Sequence, residues 1–229
     1  NVPERGAEIP RALLAAGCTP LLAAILHLRG LSDPAAARSF LRGGAETLTN
    51  PLELTGMVDA VQRLTRAVAT GEHVAVYGDY DVDGITAACL LTDYLRFRGL
   101  TCELKIPDRI RDGYGLNTAA IDALTEKGVT LIVTVDCGVT NLEETAYAAQ
   151  RGVDMIVTDH HECREALPEA EAVVDPKQPD GNGVGTALAG VGVAFKLVCA
   201  MDGDAGRMLR RYGDLVAVGT VADVMPLLG

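Results

Sequence analysis

The chain has 229 residues, enough for one large domain or one domain with a helical extension, and its 48% hydrophobic and 22% charged residues are those of an ordinary globular protein. That composition excludes a disordered, collagen-like or coiled-coil chain. Twenty Lys and Arg stand against 31 Asp and Glu, a net charge of −11 that leaves no broadly basic nucleic-acid surface.

Up to residue 72 the charges balance and the pattern is helical, broken by Pro10, Pro20, Ser32-Asp33-Pro34, Gly43-Gly44 and Asn50-Pro51 into short amphipathic pieces. Residues 1–72 therefore read as an N-terminal α-helical extension. Its apolar stretch from Leu13 to Leu28 is interrupted by Gly17 and Pro20, carries no cleavage site, and is shorter than the roughly 20 residues a bilayer needs, so no membrane partner is expected. A start at Asn1 rather than Met suggests a trimmed chain. Cys18, Cys89, Cys102, Cys137, Cys163 and Cys199 form no C-x-x-C pair, which reads as reduced thiols and a cytoplasmic setting.

From His73 the period changes. Nearly all-apolar runs at His73–Tyr77, Thr101–Ile106, Leu131–Val135, Met155–Thr158 and Ala172–Val174 alternate with helical segments, the pattern of strands covered on both faces. The predicted class is α/β, a five-stranded mostly parallel sheet flanked by helices. From Leu188 to Val224 the chain reads as helices jointed at Gly203 and Gly213.

In an open parallel sheet ligands bind beyond the carboxyl ends of the strands. Here those exits are acidic: Asp79, Asp81 and Asp83 follow the first strand, Asp136 the third, and Asp159, His160 and His161 the fourth. Such crowded carboxylates repel by several kcal/mol unless a cation compensates. Oxygen ligands favour Mg or Mn, and an imidazole in the set shifts the preference toward Mn. The Asp79-x-Asp81-x-Asp83-Gly84 run begins like a calcium loop, but Leu90 stands where the bidentate Glu is required. A solvated Asp-rich turn or helix cap remains the plainer reading of that run, as helix capping does for Asp136. Adjacent histidines at a strand exit point in different directions, so one can bind metal and the other face a phosphate, with Asp159 fixing a ring tautomer. His27 and His73 read as packing residues. Two features suit anions. Arg109 and Arg111 stand just before the Gly113-Tyr114-Gly115 turn as a phosphate fork, unless they only pair with Asp108 and Asp112. Gly190-Val191-Gly192 opens a helix with free amides, although such glycines more often serve close packing.

Five ordered stretches, VAVYGDYDVDGITA (74–87), PDRIRDGYGLN (107–117), VTVDCGVTN (133–141), VTDHHE (157–162) and VADVMPL (221–227), resemble the DHH phosphoesterase family. Within it they are most similar to the single-strand-specific 5′→3′ DNA exonucleases. The resemblance covers about residues 73–227 and implies a catalytic domain over 73–229. It further implies two Mn ions (Mg as the substitute), with Asp79 and Asp81 at one, His160 and Asp223 at the other, and Asp83 and Asp136 near both. Asp223 enters through the resemblance alone. Asp136, His161 and Asp83 would be catalytic, with His161 at the scissile phosphate and Asp159 behind the ligands. Arg109, Arg111, Tyr114 and Asn117 would hold substrate. Pyrophosphate-cleaving members have a His where this chain has Tyr77, which disfavours that branch.

The activity so implied is stepwise release of 5′-mononucleotides from single-stranded DNA in repair and recombination, with a single-strand-binding protein and a RecQ-type helicase as partners. The family's DHH-associated domain and OB-fold have no counterpart in the sequence, so a catalytic half that binds DNA poorly by itself is expected. Alternatives are a phosphodiesterase of short oligonucleotides or cyclic dinucleotides, a catalytically silent replication scaffold, and a receiver-like domain phosphorylated at Asp81 or Asp83, which leaves the histidine pair unexplained.

Overall fold

A computed structural model describes residues 10–109 and 115–227. They form two compact units that part between Leu48 and Thr49. In the first, α1 (Arg11–Ala15), α2 (Pro20–Leu28) and α3 (Pro34–Arg42) start where the prolines broke the sequence, because proline suits the first turn of a helix. Thr19 caps α2, and Asp33 caps α3 by accepting from the amides of Ala35 and Ala36 at 3.0 and 2.8 Å. Its core is small: Leu13, Ala23, Leu26 and Ala37 are buried together.

The second unit opens with a single 3-10 turn (Pro51–Glu53) and α4 (Met57–Thr70) and continues with β1 (His73–Gly78), α5 (Val82–Phe97), β2 (Thr101–Lys105), α6 (Thr118–Glu126), β3 (Leu131–Val135), α7 (Leu142–Gln150), β4 (Asp154–Thr158) and β5 (Ala172–Val174). It closes with α8 (Gly190–Asp202) and α9 (Ala205–Ala222). The five expected strands all form, each within a residue of its sequence boundaries, and they pair in parallel in the order β2-β1-β3-β4-β5. Alternate side chains of the central strands feed two layers. Ala75, Tyr77, Ile132, Met155 and Val157 pack with Ile121 and Leu124 of α6 and Ala148 of α7. The opposite face meets α5 and α8, with α9 packed on both of them. Each buried aliphatic side chain in these layers contributes about 1.5–3 kcal/mol.

Two expectations fail. The β4–β5 connection holds no helix, and Gly213 lies within the continuous α9 instead of marking a joint. A single glycine costs a helix about 1 kcal/mol, which packing against α5 and α8 outweighs. Gly203, by contrast, ends α8 in the left-handed conformation at φ 79°. No helix among the described residues is long and apolar enough to cross a membrane, and all six cysteines are unpaired.

Because every strand runs the same way, all five carboxyl ends share one edge. The strand order reverses there between β1 and β3, which opens the crevice where parallel sheets bind ligands.

Candidate metal centre

The chain leaves β1 in a tight return onto the first turn of α5. Gly84 makes that return possible, since a Cβ on it would lie 2.6 Å from the backbone N and O of Asp79. Asp81 caps α5, its Oδ1 accepting from the Gly84 amide at 2.9 Å, so the plain reading of the run as a helix cap holds for this one residue. Asp83, 1% exposed, receives Gly190 N–H on Oδ2 at 2.6 Å and Val191 N–H on Oδ1 at 2.8 Å. The anion awaited by the Gly190-Val191-Gly192 helix start is therefore this chain's own carboxylate.

Asp136 leaves β3 with φ 58°, a left-handed backbone rare outside glycine and worth about 1–3 kcal/mol of strain. It caps no helix; the residue in that position for α7 is Asn141. Gly190 presses on it, since a Cβ there would stand 2.6 Å from the Asp136 Cβ. From β4, Asp159 accepts from the amides of Val139 (3.0 Å), His160 (2.7 Å) and His161 (3.2 Å) and from Nδ1 of His161 (2.8 Å). It thus fixes the His161 ring as the sequence suggests. His160 is almost buried, and its Nε2 lies 3.1 Å from Asp136 Oδ1, 3.6 Å from Asp223 Oδ2 and 3.7 Å from Asp83 Oδ2. Asp223 arrives as the residue that ends α9.

Burial pushes the carboxyls of Asp79 and Asp83 above their ordinary range. Burial, joined by the charges of Asp83 and Asp81, pushes Asp136 up to about 10. Burial acts on Asp159 as well, yet the hydrogen bond and charge of His161 and the backbone amides outweigh it and hold this carboxyl below its usual range. Asp79 Oδ1, Asp136 Oδ1 and both ring nitrogens of His160 are buried with no hydrogen-bond partner. A fold that buries unpaired carboxylate oxygens beside an unpaired imidazole is suited to a cation. The donors group accordingly: Asp79, Asp81 and Asp136; Asp83, His160 and Asp223; and Asp136, His160 and His161 each offer atoms within 4.8 Å of one another. Carboxylate oxygens with one or two imidazole nitrogens suit Mg or Mn.

The acids and histidines singled out in the sequence, Asp223 included, thus converge on one pocket. Arg109 sits near its rim, with its guanidinium carbon 5.2 Å from the ring centroid of Tyr80, the residue between Asp79 and Asp81. Asn117 is spent locally, its side-chain oxygen capping α6 through the Ala120 amide at 2.8 Å. Arg111 and Tyr114 lie outside the described residues. His73 faces Glu103 and His27 faces Ser32. Two residues escaped the sequence reading. Asn141 ties the loop after β3 to Leu116 and Glu144, and Asp175 leaves β5 almost wholly buried. The strand-exit rule that found Asp136 also points to Asp175 once it is applied to the fifth strand.

Residues 73–220 match the model of the DHH family, N-terminal domain. The single-stranded-DNA-specific exonuclease RecJ of Bacillus subtilis is 41% identical over 209 residues, covering 91% of this chain and 26% of the relative. A crystal structure of exonuclease RecJ bound to manganese superposes with a TM-score of 0.70 at 37% identity over 80% of this chain and 46% of the other. RecJ of Thermus thermophilus in complex with Mn2+ does so at 0.71 and 30% identity, over 99% of this chain and 32% of the other. The chain spans less than half the length of each of these relatives.

Proposed function

Since the chain belongs to the DHH family, we propose that residues 73–227 are the metal-dependent phosphodiesterase core of a single-strand-specific DNA exonuclease that releases 5′-mononucleotides. The observation that carries this reading is the set of buried, unpartnered donors on Asp79, Asp136 and His160 in one pocket with Asp81, Asp83 and Asp223. Asp79, Asp81 and Asp136 hold one divalent cation, and Asp83, His160 and Asp223 the other. Mn2+, the ion in the two related structures, fits this mixed oxygen and imidazole set, and Mg2+ is its substitute. When bound, two such ions lower the pKa of a water and neutralise charge on the phosphoryl oxygens.

The protein groups then have separate tasks. Asp83, held by the amides of α8, keeps its carboxylate beside Nε2 of His160. Asp159 holds His161 by Nδ1 and so orients the ring that meets the phosphate undergoing hydrolysis. Arg109, with Arg111 and Tyr114, receives the neighbouring phosphates. The acidic balance implies that most DNA-binding charge lies outside these residues. A cytoplasmic setting accords with six unpaired thiols, and a single-strand-binding protein and a RecQ-type helicase follow as partners from the family resemblance.

The test is hydrolysis of end-labelled strands by this chain with Mn2+. We expect slow, single-strand-specific release of mononucleotides from the 5′ end, abolished in Asp136→Ala while the circular dichroism spectrum is retained. Metal-dependent turnover surviving in Asp136→Ala overturns the assignment. Faster turnover of dinucleotides than of long strands would move the substrate class to short oligonucleotides.

A further inference from the structure

The connection from β2 to α6 carries Arg109, and it is held by two tyrosines of the same segment that supplies Asp79 and Asp81. β1 and β2 pair in parallel with Tyr77 opposite Lys105, so the chain leaves both strands side by side. Tyr80, partly exposed, stands between Asp79 and Asp81, two of the grouped donors. The guanidinium carbon of Arg109 lies 5.2 Å from the centroid of the Tyr80 ring, inside the reach of about 6 Å over which a cation is attracted to an aromatic face. The connection is fastened again before α6. The phenol of Tyr77, wholly buried, donates to the Gly115 carbonyl at 3.0 Å. Gly115 has φ 80°, and a Cβ on it would stand 2.9 Å from Asn141 Oδ1. That oxygen accepts from the Leu116 amide at 3.4 Å, and Nδ2 of Asn141 donates to the Leu116 carbonyl at 3.2 Å.

An arginine that binds a phosphate gives up the rotamer freedom of a long side chain. A guanidinium already resting on an aromatic face has lost part of that freedom before the ligand arrives, and its N–H groups still point outward from the fork. We propose that Tyr80 is a positioning residue for substrate, its ring seating the Arg109 guanidinium at the rim of the metal centre. Because Tyr80 lies between Asp79 and Asp81, the phosphate that Arg109 receives is then held in register with the cations. Tyr77 and Asn141 anchor the far side of the same connection. Packing of the β1 exit would by itself place no cation over the ring. This inference rests on the metal-centre reading above and on Arg109 as a receiver of phosphate.

The test measures steady-state hydrolysis of a 5′-phosphorylated single strand with Mn2+, together with Mn2+ affinity by calorimetry. It compares the unmodified chain with Tyr80→Phe, Tyr80→Leu, Arg109→Leu and the double variant of Tyr80→Leu with Arg109→Leu. A group that binds a phosphate away from the reacting bond serves substrate and transition state alike, so its loss raises KM and spares kcat. We expect Tyr80→Leu to raise KM about 2–5-fold, the size of an exposed cation–π contact, with kcat and Mn2+ affinity retained. Tyr80→Phe keeps the aromatic face and matches the unmodified chain, and Tyr80→Leu adds nothing once Arg109 is replaced. A Tyr80→Leu chain with unchanged KM, or effects of the two substitutions that simply multiply, overturns the inference. So does a joint fall of kcat and Mn2+ affinity in Tyr80→Leu, which makes the ring a support of the metal donors instead. Unchanged KM in Arg109→Leu overturns Arg109 as a receiver of phosphate, and the task of Tyr80 with it, while leaving the metal centre standing. An unmodified chain that binds no Mn2+ overturns the metal centre itself.

Discussion

Asp136 and Asp159 follow neighbouring strands, are equally inaccessible to solvent and sit at the same edge of the sheet, yet their surroundings drive their acidities in opposite directions. Asp159 is surrounded by donors: three amides and an imidazole N–H satisfy both oxygens. Asp136 has carboxylates for neighbours, an orphaned Oδ1 and a strained backbone. The first is a finished structural element. The second keeps an unpartnered oxygen among like charges, and backbone strain of this kind clusters at functional sites. Burial alone therefore does not separate scaffold from site; the supply of hydrogen-bond donors does.

If that distinction is right, substitutions at the two exits differ in sign. Asp159→Ala strands four donors and should cost about 3 kcal/mol in chemical denaturation, with or without Mn2+. Gly190→Ala forces a methyl into the Asp136 side chain and should cost about 2 kcal/mol, with loss of Mn2+ binding. Asp136→Asn keeps a residue tolerant of the left-handed backbone and removes the cost of protonating a buried carboxylate on folding, so the metal-free chain should gain about 1–3 kcal/mol at pH 7 while losing Mn2+ affinity. A destabilised Asp136→Asn chain would contradict the comparison.

The pH dependence carries the same contrast. Asp136 has a folded pKa of about 10, above the ordinary value of about 3.9, so the folded state binds its proton more tightly than the unfolded state does. The metal-free chain should therefore lose stability from this residue as pH rises through that interval, and the gain from Asp136→Asn should vanish below about pH 4. Asp159, held below its usual range, contributes stability at neutral pH that is lost only as acid protonates it. On the proposed metal-centre reading Mn2+ displaces the Asp136 proton, so the rise in melting temperature that it produces should grow between about pH 5 and 8. A rise independent of pH would show that Asp136 is not where the ion binds.

Much of this was legible along the chain. The β1, β3 and β4 runs are apolar enough to be covered on both faces, and the acids that follow them are local features, so the edge carrying Asp79, Asp136 and His160 could be read directly. Asp81 as cap and Asp159 as the brace of His161 follow from short-range geometry. Gly213 misled because a glycine weakens a helix only as far as packing allows. Asp223 and Asp175 were harder: the first is one acid at the end of an amphipathic helix, the second one acid after a three-residue strand.

The pattern of residues thus settled which segments are strands, that they run parallel, and which side chains leave at their carboxyl ends, because strand periodicity and turn chemistry act over a few neighbours. Which of those side chains touch was decided by the fold. The order β2-β1-β3-β4-β5 sets Asp136 beside Asp159 and Asp159 beside Asp175, and the packing of α8 and α9 on α5 delivers the amides of Gly190 and Val191 to Asp83 and Asp223 to His160. Contacts between residues so distant along the chain depend on the global arrangement of layers, which no local pattern encodes, and the environment they create surrounds one buried aspartate with hydrogen-bond donors and leaves its neighbour among carboxylates.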